Sequence, residues 1–143
     1  YRLHRETKCL ELHYLAVEQL HQLGSRKKPD IKISSRESAA IDEVAAILRS
    51  SYNDPPTIPQ LSQLLKISER KLCIGFRNKY GASISDYTQN IRFEKAVHLL
   101  TNTETSIPDV AREVGYKHTP SFSRAFKRFH GLAPSELRLA RYN

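Results

Sequence analysis

At 143 residues and 39% apolar content, the chain is long enough for one or two small domains with modest helical cores. Its 23 Lys+Arg against 15 Asp+Glu give +8 and a pI near 9.7, a balance that favours polyanions without choosing between DNA, RNA and an acidic membrane. No signal peptide and no apolar run of membrane length appears, so a cytoplasmic protein without a membrane partner is expected.

Residues 1–23 are predicted to form an amphipathic helix, with Leu10, Val17 and Leu20 on one side and Leu12, Leu15 and Leu23 nearby. Its apolar stripe is wide, so it needs a partner surface. Tyr1 begins inside the helical pattern without an initiator methionine, and the expectation is a piece of a longer protein. Gly24-Ser25-Arg26-Lys27-Lys28-Pro29-Asp30 breaks the pattern and opens a solvated linker over residues 24–35. Ser35, or alternatively Ser38, caps a helix running to about Ser50, with Ile41, Val44, Ala45 and Leu48 turned inward. Asn53-Asp54-Pro55-Pro56 ends it, because neither proline can supply a helical N–H.

Residues 58–65 and 68–80 then form a first helix-turn-helix, completing a subdomain over residues 36–83. Pro59 sits in a first helical turn, where a missing N–H costs nothing. Ser85 caps a long helix to about Leu100, within a linker-helix segment over 84–102, with Tyr87, Ile91, Ala96, Leu99 and Leu100 as its apolar set. Sixteen residues span roughly 24 Å at 1.5 Å each. With packing at both ends, such a rod could hold two recognition helices about one DNA turn apart, ~34 Å. Residues 101–106 are a polar connector. Residues 107–114 and 120–130 form a second motif and Pro134 begins a closing helix, in a subdomain over 103–143. No strand-like alternation appears, so the predicted fold is all-α: two tandem helix-turn-helix subdomains on a linker helix, preceded by the N-terminal amphipathic helix.

The two motifs are copies of one pattern. Ile58-Pro59, Leu61, Leu65, Leu72, Phe76-Arg77, Gly81 and Ser85 recur as Ile107-Pro108, Val110, Val114, Phe122, Phe126-Lys127, Gly131 and Ser135. The offset is 49 before the central turn and 50 after it, so the second copy carries one extra turn residue. Each copy ends at a glycine, where a left-handed cap is easiest. In this layout the first helix braces the second for entry into a major groove.

The charge follows the repeat. Positions 66–79 hold Lys66, Arg70, Lys71, Arg77 and Lys79 against Glu69 alone, and positions 112–128 hold Arg112, Lys117, Arg124, Lys127 and Arg128 against Glu113 alone. On the first recognition helix, Leu72 and Phe76 mark the core side; opposite lie Arg70, Ile74 and Arg77, flanked by Lys71 and Asn78. On the second, Phe122 and Phe126 mark the core; opposite lie Pro120, Arg124 and Lys127, flanked by Ser121 and Arg128. Arg124, central on its face, can offer a two-pronged donor to guanine O6 and N7, and Arg70 is the candidate for that role in the first motif. Thr119, Ser121 and Ser123 could contact phosphate or base. Arg77, Lys127 and Arg128 lie late in their helices and fit phosphate neutralisation, which gives affinity without sequence information. A solvated basic face would account for either helix alone; it accounts less well for two equivalent faces in a repeat.

Other chemistry is not supported. The six histidines include no pair at i, i+3 or i, i+4, and neither Cys9 nor Cys73 joins them, so no metal site is expected. The cysteines lie in segments read as different helices and are expected as free thiols. The five glycines form no phosphate-binding loop and no nucleophile–base set is recognisable, so no cofactor and no catalytic residue is assigned.

Ser68-x-x-x-Leu72-x-x-x-Phe76-Arg77-x-x-x-Gly81, with Tyr87, Arg92 and Ala96, resembles the first half of the DNA-binding domain of AraC/XylS-type transcription regulators. Ile107-x-x-Val110-Ala111-x-x-x-Gly115-Tyr116, then Phe122-x-Arg124-x-Phe126-Lys127 and Gly131-x-x-Pro134-Ser135, resembles that family's most diagnostic stretch. The likeness covers roughly residues 38–140. Lys71-Leu72-x-x-Gly75-Phe76 and Lys8-x-Leu10-Glu11-Leu12 are also similar to the siderophore-regulator subgroup typified by the pyochelin regulator. The resemblance implies a sequence-specific, bacterial-type regulator of double-stranded DNA, usually an activator that contacts RNA polymerase. It also implies an N-terminal sensor and dimerisation domain, with residues 1–23 its last helix or the connection to it, and a homodimer through that region. One position departs from the pattern: Ile74 stands where many relatives carry arginine, matching Arg124 in the second copy. Two roles stand open for Ile74, contact with a thymine methyl or a turn into the core. Two other functions compete: a helical protein-interaction module whose basic faces bind an acidic partner, and the targeting domain of a nucleic-acid enzyme.

Overall fold

The computed structural model describes residues 30–142, which form seven α-helices and no strand. The expected N-terminal helix, Cys9 and the first half of the linker lie outside the described residues. The helices are α1 (Ser35–Ser50), α2 (Ile58–Leu65), α3 (Glu69–Tyr80), α4 (Ile84–Asn102), α5 (Ile107–Glu113), α6 (Thr119–His130) and α7 (Pro134–Ala140). Helices α2–α3 and α5–α6 are the two helix-turn-helix pairs, and α4 joins them.

Ser34, rather than Ser35 or Ser38, caps α1. Its backbone is extended, its Oγ accepts from the Glu37 N–H at 3.2 Å, and Glu37 Oε2 accepts from the Ser34 N–H at 2.9 Å. The reciprocal pair satisfies two of the donors that a helix start leaves open. Only Ser34 has a glutamate three residues on, and that spacing selects it. Ile41, Val44, Ala45 and Leu48 are the buried face of α1, as expected. They pack with Leu61, Ile67, Leu72, Phe76 and Ile84 into the first core, against which Ile33 of the predicted linker also rests.

Ser83, rather than Ser85, caps α4: its Oγ accepts from the Asp86 N–H at 3.1 Å and Ile84 is already helical. The helix therefore has 19 residues and a length of about 28 Å. Its expected apolar set omitted Phe93, which is 2% exposed and central to the second core. At about 100° per residue, Ile84, Tyr87, Thr88 and Ile91 lie on one side of α4, and Phe93, Ala96 and Leu100 on the opposite side. The first side meets the first core; the second joins Val110, Ala111, Val114, Phe122 and Phe126 in the second. A helix that wedges between two cores has no single stripe to detect.

The repeat holds in three dimensions. Gly81 and Gly131, at φ 74° and 78°, are the left-handed C-caps of α3 and α6. Lys66 and Gly115, equivalent positions in the central turns, also have positive φ, 51° and 89°.

Candidate nucleic-acid interface

Both recognition helices turn one side fully inward. On α6, Phe122 and Phe126 are 0% exposed, with ring centroids 5.5 Å apart, and Phe126 packs edge-on against Phe93 at 5.6 Å. On α3, Leu72 and Phe76 are 0% exposed and Gly75 is buried. A Cβ at Gly75 would lie 2.5 Å from Ile41 Cδ1, so the missing side chain lets α1 approach α3 closely. Such anchoring fixes which residues face solvent.

On α6 the outward arc carries Ser121, Arg124, Lys127 and Arg128, all exposed, with Thr119 and Ser123 half-buried at its margin. The start of α6 follows His118, which is extended and makes no side-chain cap hydrogen bond, and Pro120 occupies the first turn. On α3 the outward arc carries Arg70, Arg77 and Asn78, all exposed, with Ile74 half-buried between them. Ile74 is outside the group of side chains packed on the first core.

Lys71 stands apart from this arc. Its Nζ donates to Glu37 Oε1 of α1 at 2.7 Å, which aims it along the α1–α3 seam. Lys79 is held similarly, donating to Asp42 Oδ2 at 2.7 Å and to Ser38 Oγ at 2.9 Å. The Tyr80 hydroxyl donates to the other Asp42 oxygen at 2.7 Å. The Lys71 hydrogen bond, backed by the Ser34 N–H, holds the Glu37 carboxyl down at about 2. Lys79 and Tyr80 likewise depress the Asp42 carboxyl, and that carboxylate pushes Tyr80 up to about 12. Sequence reasoning gave Glu37 and Asp42 no role. The Ser34-x-x-Glu37 spacing could have placed Glu37 in the first turn of α1, whereas Asp42 carries no local signal.

Two basic arcs of similar design thus stand on helices joined through α4. Burial pushes the Cys73 thiol up, with Glu69 adding to the shift, which makes that side chain a poor nucleophile. Among the described residues no group of three or more His, Cys, Asp or Glu could hold a metal, and no helix is long and apolar enough to cross a membrane.

A family model described as a helix-turn-helix domain matches residues 61–140. The chain is 30% identical over 105 residues to the Msm operon regulatory protein of Streptococcus mutans, covering 73% of this chain and 38% of that protein. It is 30% identical over 113 residues to the transcriptional activator RhaR of Klebsiella pneumoniae, covering 79% and 40%. The solved C-terminal domain of AraT, a response regulator from Geobacillus stearothermophilus, superposes with a TM-score of 0.67 at 27% identity, covering 78% of this chain and 89% of that one. The chain therefore spans about two-fifths of the length of these two regulators.

Proposed function

The chain belongs to the AraC-type family of helix-turn-helix transcription regulators, and from that membership we propose that α3 and α6 read two adjacent major-groove segments on one face of duplex DNA. One observation carries this reading. At matched positions of an internal repeat, two helices bury aromatic or leucine anchors completely and present arginine-rich arcs to solvent. A protein surface for one acidic partner has no need of that duplication, whereas DNA offers the same groove once per turn. The family is one of regulators, not enzymes, and neither arc presents a catalytic set.

In this reading Arg124 and Arg70 contact base edges, with Thr119, Ser121 and Ser123 of α6 serving base or phosphate. Arg77, Asn78, Lys127 and Arg128 hold the backbone. Ile74, half-buried and outside the core group, fits a thymine methyl. Lys71 reaches DNA only by leaving Glu37, so its contribution is to phosphate and is reduced by that competition. The whole protein, in this reading, activates transcription, as the similarity to the activator RhaR supports; contact with RNA polymerase and pairing through the N-terminal region are what the family resemblance adds to the proposal.

Selection of bound sequences from a random duplex pool tests the proposal. The expected result is a site with two contacted segments about one turn, ~34 Å, apart. Recovery of no preferred sequence, with affinity set by salt alone, rules it out.

A further inference from the structure

We infer that Arg92 and Gly115 form a clamp between the two subdomains, which sets the angle between α3 and α6 and so determines which separation of the two DNA segments the protein accepts. The inference rests on the DNA reading proposed above.

Its starting point is the mismatch at one repeat position. Lys66 and Gly115 are equivalent and both have positive φ, but 51° at Lys66 is within reach of a side chain, whereas 89° at Gly115 already favours glycine. The surroundings differ as well. Lys66 is exposed, whereas a Cβ on Gly115 would lie 2.2 Å from the carbonyl oxygen of Asn53 and 2.9 Å from its carbon. Asn53 belongs to the loop after α1, in the first subdomain. Gly115 belongs to the turn that feeds the second recognition helix. At Gly115 the backbone conformation and the first subdomain resting on the turn both favour glycine.

Arg92, on the connecting helix α4, holds the same loop. Its Nε donates to the Tyr52 carbonyl at 2.6 Å and its Nη2 to the Asn53 carbonyl at 3.4 Å. Its guanidinium carbon lies 5.8 Å from the centre of the Tyr116 ring, within range of a cation–π contact. Gln89, nearly one turn earlier, donates to the Tyr116 hydroxyl. Tyr116 in turn packs on the second core and against Phe122 of α6, with centroids 5.5 Å apart. One arginine thus bonds the first subdomain and lies over an aromatic ring that abuts the second recognition helix. A groove of about 430 Å³, lined by Asn53, Leu99, Thr105, Asp109, Arg112 and Glu113, lies alongside the clamp. A contact off the axis of α4 resists twisting between the subdomains in a way that packing around that axis does not.

The test uses the 143-residue chain and duplexes carrying the two selected segments at their native separation, or with one base pair added or removed between them. Each such change rotates one segment by roughly 35° about the duplex. The wild type is expected to lose about tenfold in affinity on either change, a modest share of a specific complex's discrimination. In Arg92→Ala and in Gly115→Ala that loss is expected to shrink to about threefold or less, while affinity for a duplex carrying one segment stays within about twofold of wild type. If Gly115→Ala does not fold, Arg92→Ala and Gln89→Leu carry the measurement. A tenfold spacing penalty retained in folded Arg92→Ala overturns the clamp, and so does a parallel loss of single-segment affinity and of the melting transition. A wild type indifferent to sequence in every duplex overturns the DNA reading itself, which is a different result.

Discussion

Arg124 and Ile74 occupy equivalent places on their helices, and only Arg124 carries hydrogen-bond donors there. Arg124 is exposed at the centre of the α6 arc, where a planar fork of donors can meet one guanine. Arg124→Ala is expected to cost ~1–3 kcal/mol on the selected site, concentrated at one base pair. Arg124→Lys should restore the charge and only part of the discrimination. An affinity series over all four base pairs at each position, at fixed salt, measures both; an unchanged base profile in the alanine variant would remove Arg124 as a reader. Glu37 makes a second residue-scale prediction. Its carboxyl is held at about 2, below its ordinary 4.5, first by the Lys71 hydrogen bond and then by the Ser34 N–H. A depressed carboxylate stabilises the folded state above the unfolded value, and that contribution is lost as pH falls from about 4.5 towards 2. Glu37→Gln is therefore expected to flatten the loss of stability across that window, read by denaturant unfolding at a series of pH values. An unaltered profile would show that the pair contributes nothing to acid sensitivity.

Among the elements, α4 differs most from its expected form. Its sequence shows no single apolar side because the helix serves two cores from opposite sides, Ile84 and Ile91 facing one and Phe93, Ala96 and Leu100 the other. Phe93 packs against Phe126, Phe129 and Tyr116 with centroids 5.6, 4.9 and 6.5 Å away. Removing its ring by Phe93→Ala is expected to cost about 3–5 kcal/mol, a large share of a small domain's stability. Equilibrium denaturation followed by circular dichroism measures it, and a cost below about 1 kcal/mol would mean the second core closes over the gap. The short helices were easier to read. Each of α2 and α5 has proline in its first turn and a hydroxyl cap, Thr57 or Ser106, so local chemistry alone starts them.

At the scale of the whole molecule, the described residues supply two cores, the second from α4, α5 and α6 with Leu137 of α7 against it. Among the described residues, Ile33 is the earliest packed on the first core. Deleting residues 1–29 is accordingly expected to leave the melting transition and the sequence preference of the chain nearly unchanged, while reducing any self-association. Thermal melting, the selected-site affinity and sedimentation of the shortened chain check the three parts; loss of the cooperative transition would place the N-terminal segment within the core.

The all-helical fold, the duplicated motif, its glycine caps and the two basic arcs were legible in the sequence because each rests on local rules. Period and spacing place Leu72, Phe76, Phe122 and Phe126 on one side of each helix, and the charged residues opposite them are the ones that meet solvent. The cap positions of α1 and α4 were misplaced by one or two residues because several serines compete there, and the winner is decided by the acid three residues on. What only tertiary structure decided is the set of long-range pairings. Lys71 is drawn to Glu37, 34 residues away, and Lys79 to Asp42, 37 away, so two of the cations counted over positions 66–79 lie along a seam. Phe93 is buried by a second core whose other members lie mostly later in the chain. The Asn53 carbonyl reaches Gly115 only when both subdomains close around α4. Local patterns carry the period of a helix, but they do not carry which partner arrives against it.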